Sequence, residues 1–104
     1  MERIAFLMAL WPAAEEEYRR AHAEVWPELL NELRKGGARN YSIFLSDHQL
    51  FGYLEVDDFD SFRRHMAGSE VNGRWQTEMT RLIDPMTDPQ TGFHRRMEEV
   101  FHLD

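Results

Sequence analysis

The chain contains no cysteine, which excludes disulfide bonds and thiolate chemistry. It also lacks an apolar run long enough for a secretory signal or a membrane span, so we expect a cytoplasmic protein. Basic residues are few, with 12 against 19 acidic ones, and the net charge is -7. Such a charge repels phosphate backbones and anionic lipids, so we expect neither nucleic acid nor a membrane as a partner.

What is present fits one small domain over residues 1–104, of which 42% are hydrophobic. A domain of this size buries about 65% of the surface that its unfolded chain would expose, so its core is marginal. The run from Ile4 to Trp11 is continuously apolar. This pattern predicts a central strand that is covered on both faces.

A helix with an internal proline should follow this strand. The segment from Ala13 to Lys35 is rich in Ala, Glu, Arg and Leu, and Gly36 and Gly37 close it. Pro27 removes a backbone donor inside this segment, so we expect the helix to be kinked or divided there. The acidic run at residues 15–17 suits a helix N-terminus and needs no catalytic explanation.

The remaining segments complete a ferredoxin-like pattern. Asn40 to Leu45 and Leu50 to Val56 are β-rich runs around a polar turn, which predicts an antiparallel hairpin. We expect two short helices over residues 59–67 and 70–83, a loop over 84–92 and a final strand within 98–103. The order βαββα(α)β belongs to the α+β class.

Both faces of the predicted hairpin carry large apolar side chains. Phe51 and Tyr53 point to one face of the sheet, and Leu54 and Val56 point to the other. One layer of helices covers only one face, so the second face needs a partner. We therefore predict a homodimer in which two sheets face each other and enclose a pocket, with exchange of terminal strands left open.

The first helix carries an unusual set of side chains on one face. Tyr18, His22 and Trp26 recur every fourth residue, so a phenol, an imidazole and an indole stack on one side. Together with Asn40 and Tyr41 they look like a sugar site. Aromatic rings cover the apolar C–H faces of sugars, and their polar atoms meet the hydroxyl groups.

Several of these residues also have a structural interpretation. Trp26 beside a helix-kinking proline is better explained as a core anchor than as a ligand contact. Tyr41 on a strand also suits the filling of a barrel. The other histidines have no partner at metal-ligand spacing on one element, so we expect none of them to be a metal ligand; they are His48, His65, His94 and His102.

The order and spacing of these motifs resemble the L-rhamnose mutarotase family over nearly the whole chain. The most specific match is Tyr18-x-x-x-His22-x-x-x-Trp26-Pro27-Glu28-Leu29, which sets aromatic residues and a mid-helical proline at fixed offsets. The other matching pieces are Ala5-Phe6, Glu16-Glu17-Tyr18 with Arg20, Asn40-Tyr41, Arg74-Trp75 and Glu99-Val100-Phe101.

The resemblance implies a cofactor-free isomerase, built as a dimeric α+β barrel, that interconverts the α and β anomers of L-rhamnose. By this resemblance His22 would be the proton donor, and Tyr18, Tyr41, Trp75 and Gln76 would bind the sugar. The family commonly shows two consecutive tryptophans, whereas this chain has Trp75-Gln76. Gln76 can hydrogen-bond a hydroxyl but offers no stacking plane, which leaves affinity and sugar preference at this edge of the site open.

Mutarotation itself needs only proton transfer. The ring opens when its oxygen gains a proton and the anomeric hydroxyl loses one, and it closes on the other face after rotation about C1–C2. An imidazole with a pKa of about 6.5 exchanges protons near neutrality, so His22 suits this role. Tyr18, with an ordinary phenolic pKa of about 10, is the poorer base. The second proton-transfer group stays open among an acidic residue, a tyrosine and a water.

Two other functions also stay open from the sequence. One is a different cofactor-free enzyme on the same barrel, such as a monooxygenase or an isomerase of an aromatic or lactone, because one fold hosts many chemistries. The other is a non-catalytic dimer that binds sugar or is purely structural.

Overall fold

The computed structural model describes residues 1–104 and contains four helices and five strands. In chain order these are β1 (Glu2–Leu10), α1 (Glu15–Ala23), α2 (Pro27–Lys35), β2 (Arg39–Ser46), β3 (Gln49–Val56), α3 (Phe59–Ala67), α4 (Glu70–Met79), β4 (Ile83–Asp84) and β5 (Arg95–Met97). The predicted α+β class with a ferredoxin-like order is confirmed. None of the four helices has the length and apolar character that crossing a bilayer requires.

Strand β1 lies at the centre of an antiparallel sheet, as its apolar sequence predicts. It pairs with β3 on one side and with β4 and β5 on the other, in the order β2-β3-β1-β4. Its even-numbered residues from Ile4 to Leu10 are buried in a core shared with the helices, whereas its odd-numbered residues are at most partly buried. The sheet therefore has one covered face and one open face, and the prediction that β1 is covered on both faces is wrong within this chain.

The open face carries the large side chains that the two-sided hairpin predicts. Phe51 and Tyr53 on β3 are only partly buried there, and Phe44 on β2 is 59% exposed. Leu54 and Val56 point to the opposite, covered face and are buried. The four helices thus leave one apolar face of the sheet without cover.

Pro27 divides the first helical segment, as expected. Helix α1 ends at Ala23 and α2 begins at Pro27, with Trp26 at the N-cap in an extended conformation. The residue before a proline avoids the helical region, and proline is well tolerated at the first helical position. The division places the Trp26 ring at the start of α2, where it packs edge-on against Trp75 of α4 at 5.1 Å between centroids.

The helices α3 and α4 each begin at a side-chain cap. Asp58 accepts a hydrogen bond from the Ser61 backbone N–H, and Ser69 accepts one from the Asn72 backbone N–H. Helix α4 ends at Met79, before the predicted end at residue 83. The chain then turns so that β4 can pair with the end of β1.

The predicted final strand within residues 98–103 is wrong. The residues that pair with β1 are Arg95–Met97, and residues 98–104 form neither helix nor strand. Beyond this ladder the chain is held by an ion pair of 2.7 Å between Arg3 and Glu99. Val100, Phe101 and Leu103 are 89%, 79% and 80% exposed, because their alternating pattern finds no surface in the same chain to bury against.

The Phe6 side chain of β1 lies directly over Gly52 of β3 on the covered face of the sheet. Phe6 and Gly52 face each other across these strands, and a Cβ at position 52 would lie 2.3 Å from the Phe6 ring. Glycine is required here by this contact. The buried ring then packs edge-on against Tyr41 at 6.1 Å and lies parallel to His94 at 5.0 Å between centroids.

Candidate active site

A cavity with two adjoining lobes lies between the sheet and the helices. The first lobe has a volume of about 360 Å³ and is lined by side chains from α1, α2, β2 and α4. The second lobe, of about 340 Å³, adds α3 and the segment that precedes β5. Four residues line both lobes, namely Leu33, Tyr41, Asn72 and Gln76. Each lobe has the size of a small-molecule site.

The structure brings four of the five predicted site residues to the first lobe. His22, Tyr41, Trp75 and Gln76 all line it. Tyr18 lines a neighbouring groove together with His22, and the two rings stack at 4.1 Å between centroids. The i, i+4 spacing on α1 thus produces the predicted pairing of phenol and imidazole.

His22 is held through one of its two ring nitrogens. Nδ1 lies 3.0 Å from the carbonyl oxygen of Tyr18, which can only accept, so in the neutral ring Nδ1 carries the proton. Nε2 is left as an acceptor, and it makes no hydrogen bond within the protein although it is not fully buried. Desolvation lowers the pKa of His22 below its usual 6.5, against the opposing effect of the Tyr18 carbonyl. His22 is therefore a neutral base at neutral pH.

Aromatic rings form the wall beside this imidazole. Trp75 is buried and meets the His22 ring edge-on at 5.4 Å between centroids. Trp26 packs edge-on against Trp75, has the Arg74 guanidinium 5.8 Å from its ring centroid, and lines neither lobe. These contacts agree with the interpretation of Trp26 as a structural anchor.

The two tyrosines near His22 remain protonated. Burial raises the pKa of Tyr18 to about 12. Burial also raises the pKa of Tyr41, with a smaller contribution from Tyr18. Tyr41 as a whole residue is nevertheless 37% exposed, so it lies at the mouth of the cavity rather than in the core. Both phenols can donate hydrogen bonds, Tyr41 in the cavity and Tyr18 in the neighbouring groove that His22 also lines.

Asn40 lies outside the cavity, so the structure does not bring it together with the other residues of the predicted sugar site. Its Nδ2 donates to Oε1 of Glu55 at 2.6 Å. Its φ of 49° and the register shift between Arg39 and Ser42 mark a β-bulge, a position where asparagine tolerates the left-handed conformation. Asn40 shapes the strand that carries Tyr41 and does not itself reach the site.

Sequence reasoning missed several polar residues of the cavity, of which His94, Asn72 and Arg63 are the largest. His94 stacks on Phe6 in the second lobe, and its Nδ1 lies 2.7 Å from the carbonyl oxygen of Pro85. Burial lowers the pKa of His94, although the Pro85 carbonyl opposes this. Asn72 lines both lobes, and its spacing with Trp75 and Gln76 on one face of α4 is the one signal that could have found it.

The polar groups of the cavity narrow the choice of the second proton-transfer group. No aspartate or glutamate lines either lobe. The acidic residue that the sequence left open therefore has no counterpart at this cavity. No group of three or more His, Asp or Glu side chains is arranged to hold a metal ion.

Comparison with known proteins agrees with the motif resemblance. The family model described as L-rhamnose mutarotase matches residues 3–103. The L-rhamnose mutarotase of Oceanobacillus iheyensis is 39% identical over 106 residues, and that of Lactiplantibacillus plantarum is 41% identical over 106 residues; both matches cover 100% of each chain.

Two solved structures share the fold. The crystal structure of L-rhamnose mutarotase from Formosa agariphila matches with a TM-score of 0.82 and 28% identity over 100% of both chains. Tetracenomycin F2 cyclase from Streptomyces glaucescens matches with a TM-score of 0.62 and 20% identity, over 100% of this chain and 98% of the cyclase, and shows the fold alone. The chain belongs to the L-rhamnose mutarotase family, whose members are isomerases that interconvert anomers.

Proposed function

We propose that this chain interconverts the α and β anomers of L-rhamnose by acid–base opening and reclosure of the pyranose ring. The observation that carries the proposal is the free Nε2 of His22 in a cavity with aromatic walls. Membership of the family supports L-rhamnose as the substrate. We place the reaction in carbohydrate metabolism in the cytoplasm, as expected from the sequence.

Neutral His22 acts first as a base. Nε2 accepts the proton of the anomeric hydroxyl while the bond between C1 and the ring oxygen breaks, and the ring oxygen gains a proton from a second group. The open aldehyde then rotates about C1–C2. The C5 hydroxyl returns its proton to the second group as it attacks C1, and the His22 imidazolium protonates the carbonyl oxygen. The predicted proton-donor role of His22 thus belongs to the closing half of the cycle.

The second proton passes through a water or a tyrosine hydroxyl. The raised pKa values of Tyr18 and Tyr41 make both phenols weaker acids than an ordinary tyrosine, although water is weaker still. We assign both tyrosines to substrate binding, with their hydroxyl groups as donors. Trp75 is the candidate for stacking on the sugar, and Gln76 supplies a hydrogen bond at the edge where the family commonly has a second tryptophan.

The apolar lining of the first lobe supports a 6-deoxy sugar. Apolar side chains from α2 and β2 line this lobe together with His22, among them Leu29, Leu30 and Ile43. A methyl group at C6 suits such a surface, because a hydroxymethyl group there would lose hydrogen bonds to water. The apolar lining therefore supports L-rhamnose over the hexose that carries a hydroxymethyl group in place of the C6 methyl group.

We further propose that the chain acts as a homodimer. The open sheet face exposes Phe44, and the tail beyond β5 exposes Val100, Phe101 and Leu103. An apolar sheet face and an apolar extended segment are complementary, so the tail of one chain can cover the open face of its partner. Light scattering at micromolar concentration should give twice the mass of the chain, and a monomer would contradict this part of the proposal.

The test of the activity is an NMR measurement on the wild-type protein. Magnetisation exchange between the α and β anomeric protons of L-rhamnose reports interconversion directly. We expect an exchange rate that exceeds the uncatalysed background and rises in proportion to protein concentration. Methyl α-L-rhamnoside is the matched control, because it lacks a free anomeric hydroxyl and should compete without exchanging.

The other outcomes identify the alternatives. Quenching of tryptophan fluorescence by L-rhamnose without accelerated exchange would indicate a sugar-binding module. If L-rhamnose caused no fluorescence quenching and no accelerated exchange, the proposed substrate would be contradicted. That result would favour another enzyme on this barrel.

A further inference from the structure

Two amide side chains of α4 lie where the two lobes of the cavity meet. Asn72 and Gln76 line both lobes, and both are half-buried. They are four residues apart on one helix face, and Nε2 of Gln76 donates to Oδ1 of Asn72 at 3.3 Å. Any ligand that extends from one lobe to the other passes this pair.

A backbone carbonyl fixes the orientation of the Asn72 amide. Nδ2 of Asn72 donates to the carbonyl oxygen of Met66 at 3.1 Å. Since a carbonyl can only accept, the amide nitrogen must face Met66 and Oδ1 must face away from it. The Asn72 amide therefore has one orientation that satisfies its surroundings.

The orientation of Asn72 in turn fixes that of Gln76. Because Oδ1 of Asn72 is an acceptor, Gln76 must present Nε2 to it. Oε1 of Gln76 is then the amide atom turned away from Asn72, and it makes no hydrogen bond within the protein. The pair thus presents an acceptor at the junction of the lobes.

We propose that Asn72 is a positioning residue that fixes Gln76 as a hydrogen-bond acceptor, and that this acceptor selects a donating hydroxyl of the sugar at the junction. The identity of the ligand rests on the proposed function. A methyl ether or a missing hydroxyl at the contacted carbon leaves Oε1 unpaired, and a buried acceptor without a donor lowers affinity.

His94 adds a second fixed acceptor to the second lobe through an independent contact, in a lobe that Arg63 also lines as a donor. Its Nδ1 donates to the Pro85 carbonyl, so in the neutral ring Nε2 is an acceptor, as Oε1 of Gln76 is. Two acceptors fixed by backbone carbonyls suit a ligand with several hydroxyl donors. This arrangement supports a polyhydroxylated ligand that extends past the junction.

The alternative is that the two amides form an ordinary stabilising pair on a helix. A double-mutant cycle separates the two possibilities, with KM and kcat of anomer exchange on L-rhamnose as readouts. The variants are Asn72→Ala, Gln76→Ala and both together. Thr77→Ala is the matched control, because Thr77 also donates to a carbonyl four residues back, at 3.0 Å to Gly73, but on the exposed face of α4.

We expect Asn72→Ala to raise KM about two- to tenfold, the size of one lost hydrogen bond, with kcat nearly unchanged. Adding Asn72→Ala to Gln76→Ala should change KM no further, and Thr77→Ala should leave KM as it is. An unchanged KM in Asn72→Ala, or an equal rise in the Gln76→Ala background, would overturn the inference while leaving the proposed function intact.

O-methyl ethers of L-rhamnose test the ligand chemistry. For the wild type, one of the two ethers, methylated at C3 or at C4, should have a higher KM than L-rhamnose. In Gln76→Ala this difference in KM between the ether and L-rhamnose should disappear. Equal discrimination in the variant would overturn the role of Oε1. A wild-type protein with no exchange activity on L-rhamnose would instead remove the proposed function, and the inference would fall with it.

Discussion

The contact between Phe6 and Gly52 gives a sharp prediction about how the fold supports the site. In Gly52→Ala the new Cβ would lie 2.3, 2.5 and 2.8 Å from three atoms of the Phe6 ring. Ordinary contact begins at 3.4 Å, so the ring has to move by about 1.1 Å. Phe6 is fully buried and packs against Tyr41, Phe93 and His94, so its ring can move only if these neighbours move as well.

Overpacking of this kind costs about 1–3 kcal/mol of unfolding free energy. For a domain of this length each kcal/mol lowers Tm by about 4–8 °C, so we expect Gly52→Ala to lower Tm by roughly 5–20 °C. The displaced ring also presses on Tyr41 at the cavity, so KM for L-rhamnose should rise. Thermal unfolding followed by circular dichroism measures the first effect, and anomer exchange measures the second.

Gly73→Ala is the matched control for this substitution. Gly73 lies inside α4, and a Cβ there would have nothing within 4 Å. Alanine is the better helix former by about 0.5–1 kcal/mol, so this variant should be more stable than the wild type. Opposite signs for the two substitutions are expected. A Gly52→Ala protein as stable as the wild type would refute the argument from close approach.

Three further predictions concern pH and the aromatic wall. The exchange rate should fall on acidification with an apparent pKa below 6.5, because protonation removes the base at Nε2 of His22; a rate profile between pH 4.5 and 8 checks this. The pKa values of His22 and His94 are lower in the folded protein than in the unfolded chain, so below pH 6.5 the unfolded chain binds more protons. The free energy of unfolding should therefore be highest above pH 6.5 and fall below it. Urea unfolding at pH 7.5 and 5.5 measures this difference. Trp75→Phe should raise KM for L-rhamnose, since the smaller ring covers less of the sugar, and should lower Tm, since it leaves a void where Trp75 is buried in the core; anomer exchange and thermal unfolding measure the two effects.

The parts of the fold with strong local signals could be predicted from the sequence. Three features depend on residues that are close in sequence: strand β1, the hairpin of β2 and β3, and the division of the first helical segment at Pro27. Strand β5 could not be predicted, because three residues have little pattern and their pairing depends on the free edge of β1. The strand prediction around Phe101 was wrong because alternation indicates an apolar face that needs to be buried. It does not indicate which surface that face packs against.

The candidate site divides in the same way. The stacking of Tyr18 on His22 follows from helical spacing and was predicted. Which nitrogen of His22 is free depends on a backbone carbonyl, and the place of His94 in the second lobe depends on the fold of the segment after Pro85. The position of Asn40 could not be predicted, because the sequence does not show the β-bulge at this residue. The bulge directs the Asn40 side chain toward Glu55, to which it donates a hydrogen bond.

In the proposed mechanism Nε2 of His22 carries the proton of the anomeric hydroxyl. The most direct test of this step is magnetisation exchange between the anomeric protons of L-rhamnose with the wild type and with His22→Ala at equal concentration. General acid–base catalysis contributes about 10²–10⁴-fold, so we predict that the variant loses the acceleration while its circular dichroism spectrum and much of its sugar affinity remain. A His22→Ala protein that accelerates exchange as fast as the wild type would contradict the account.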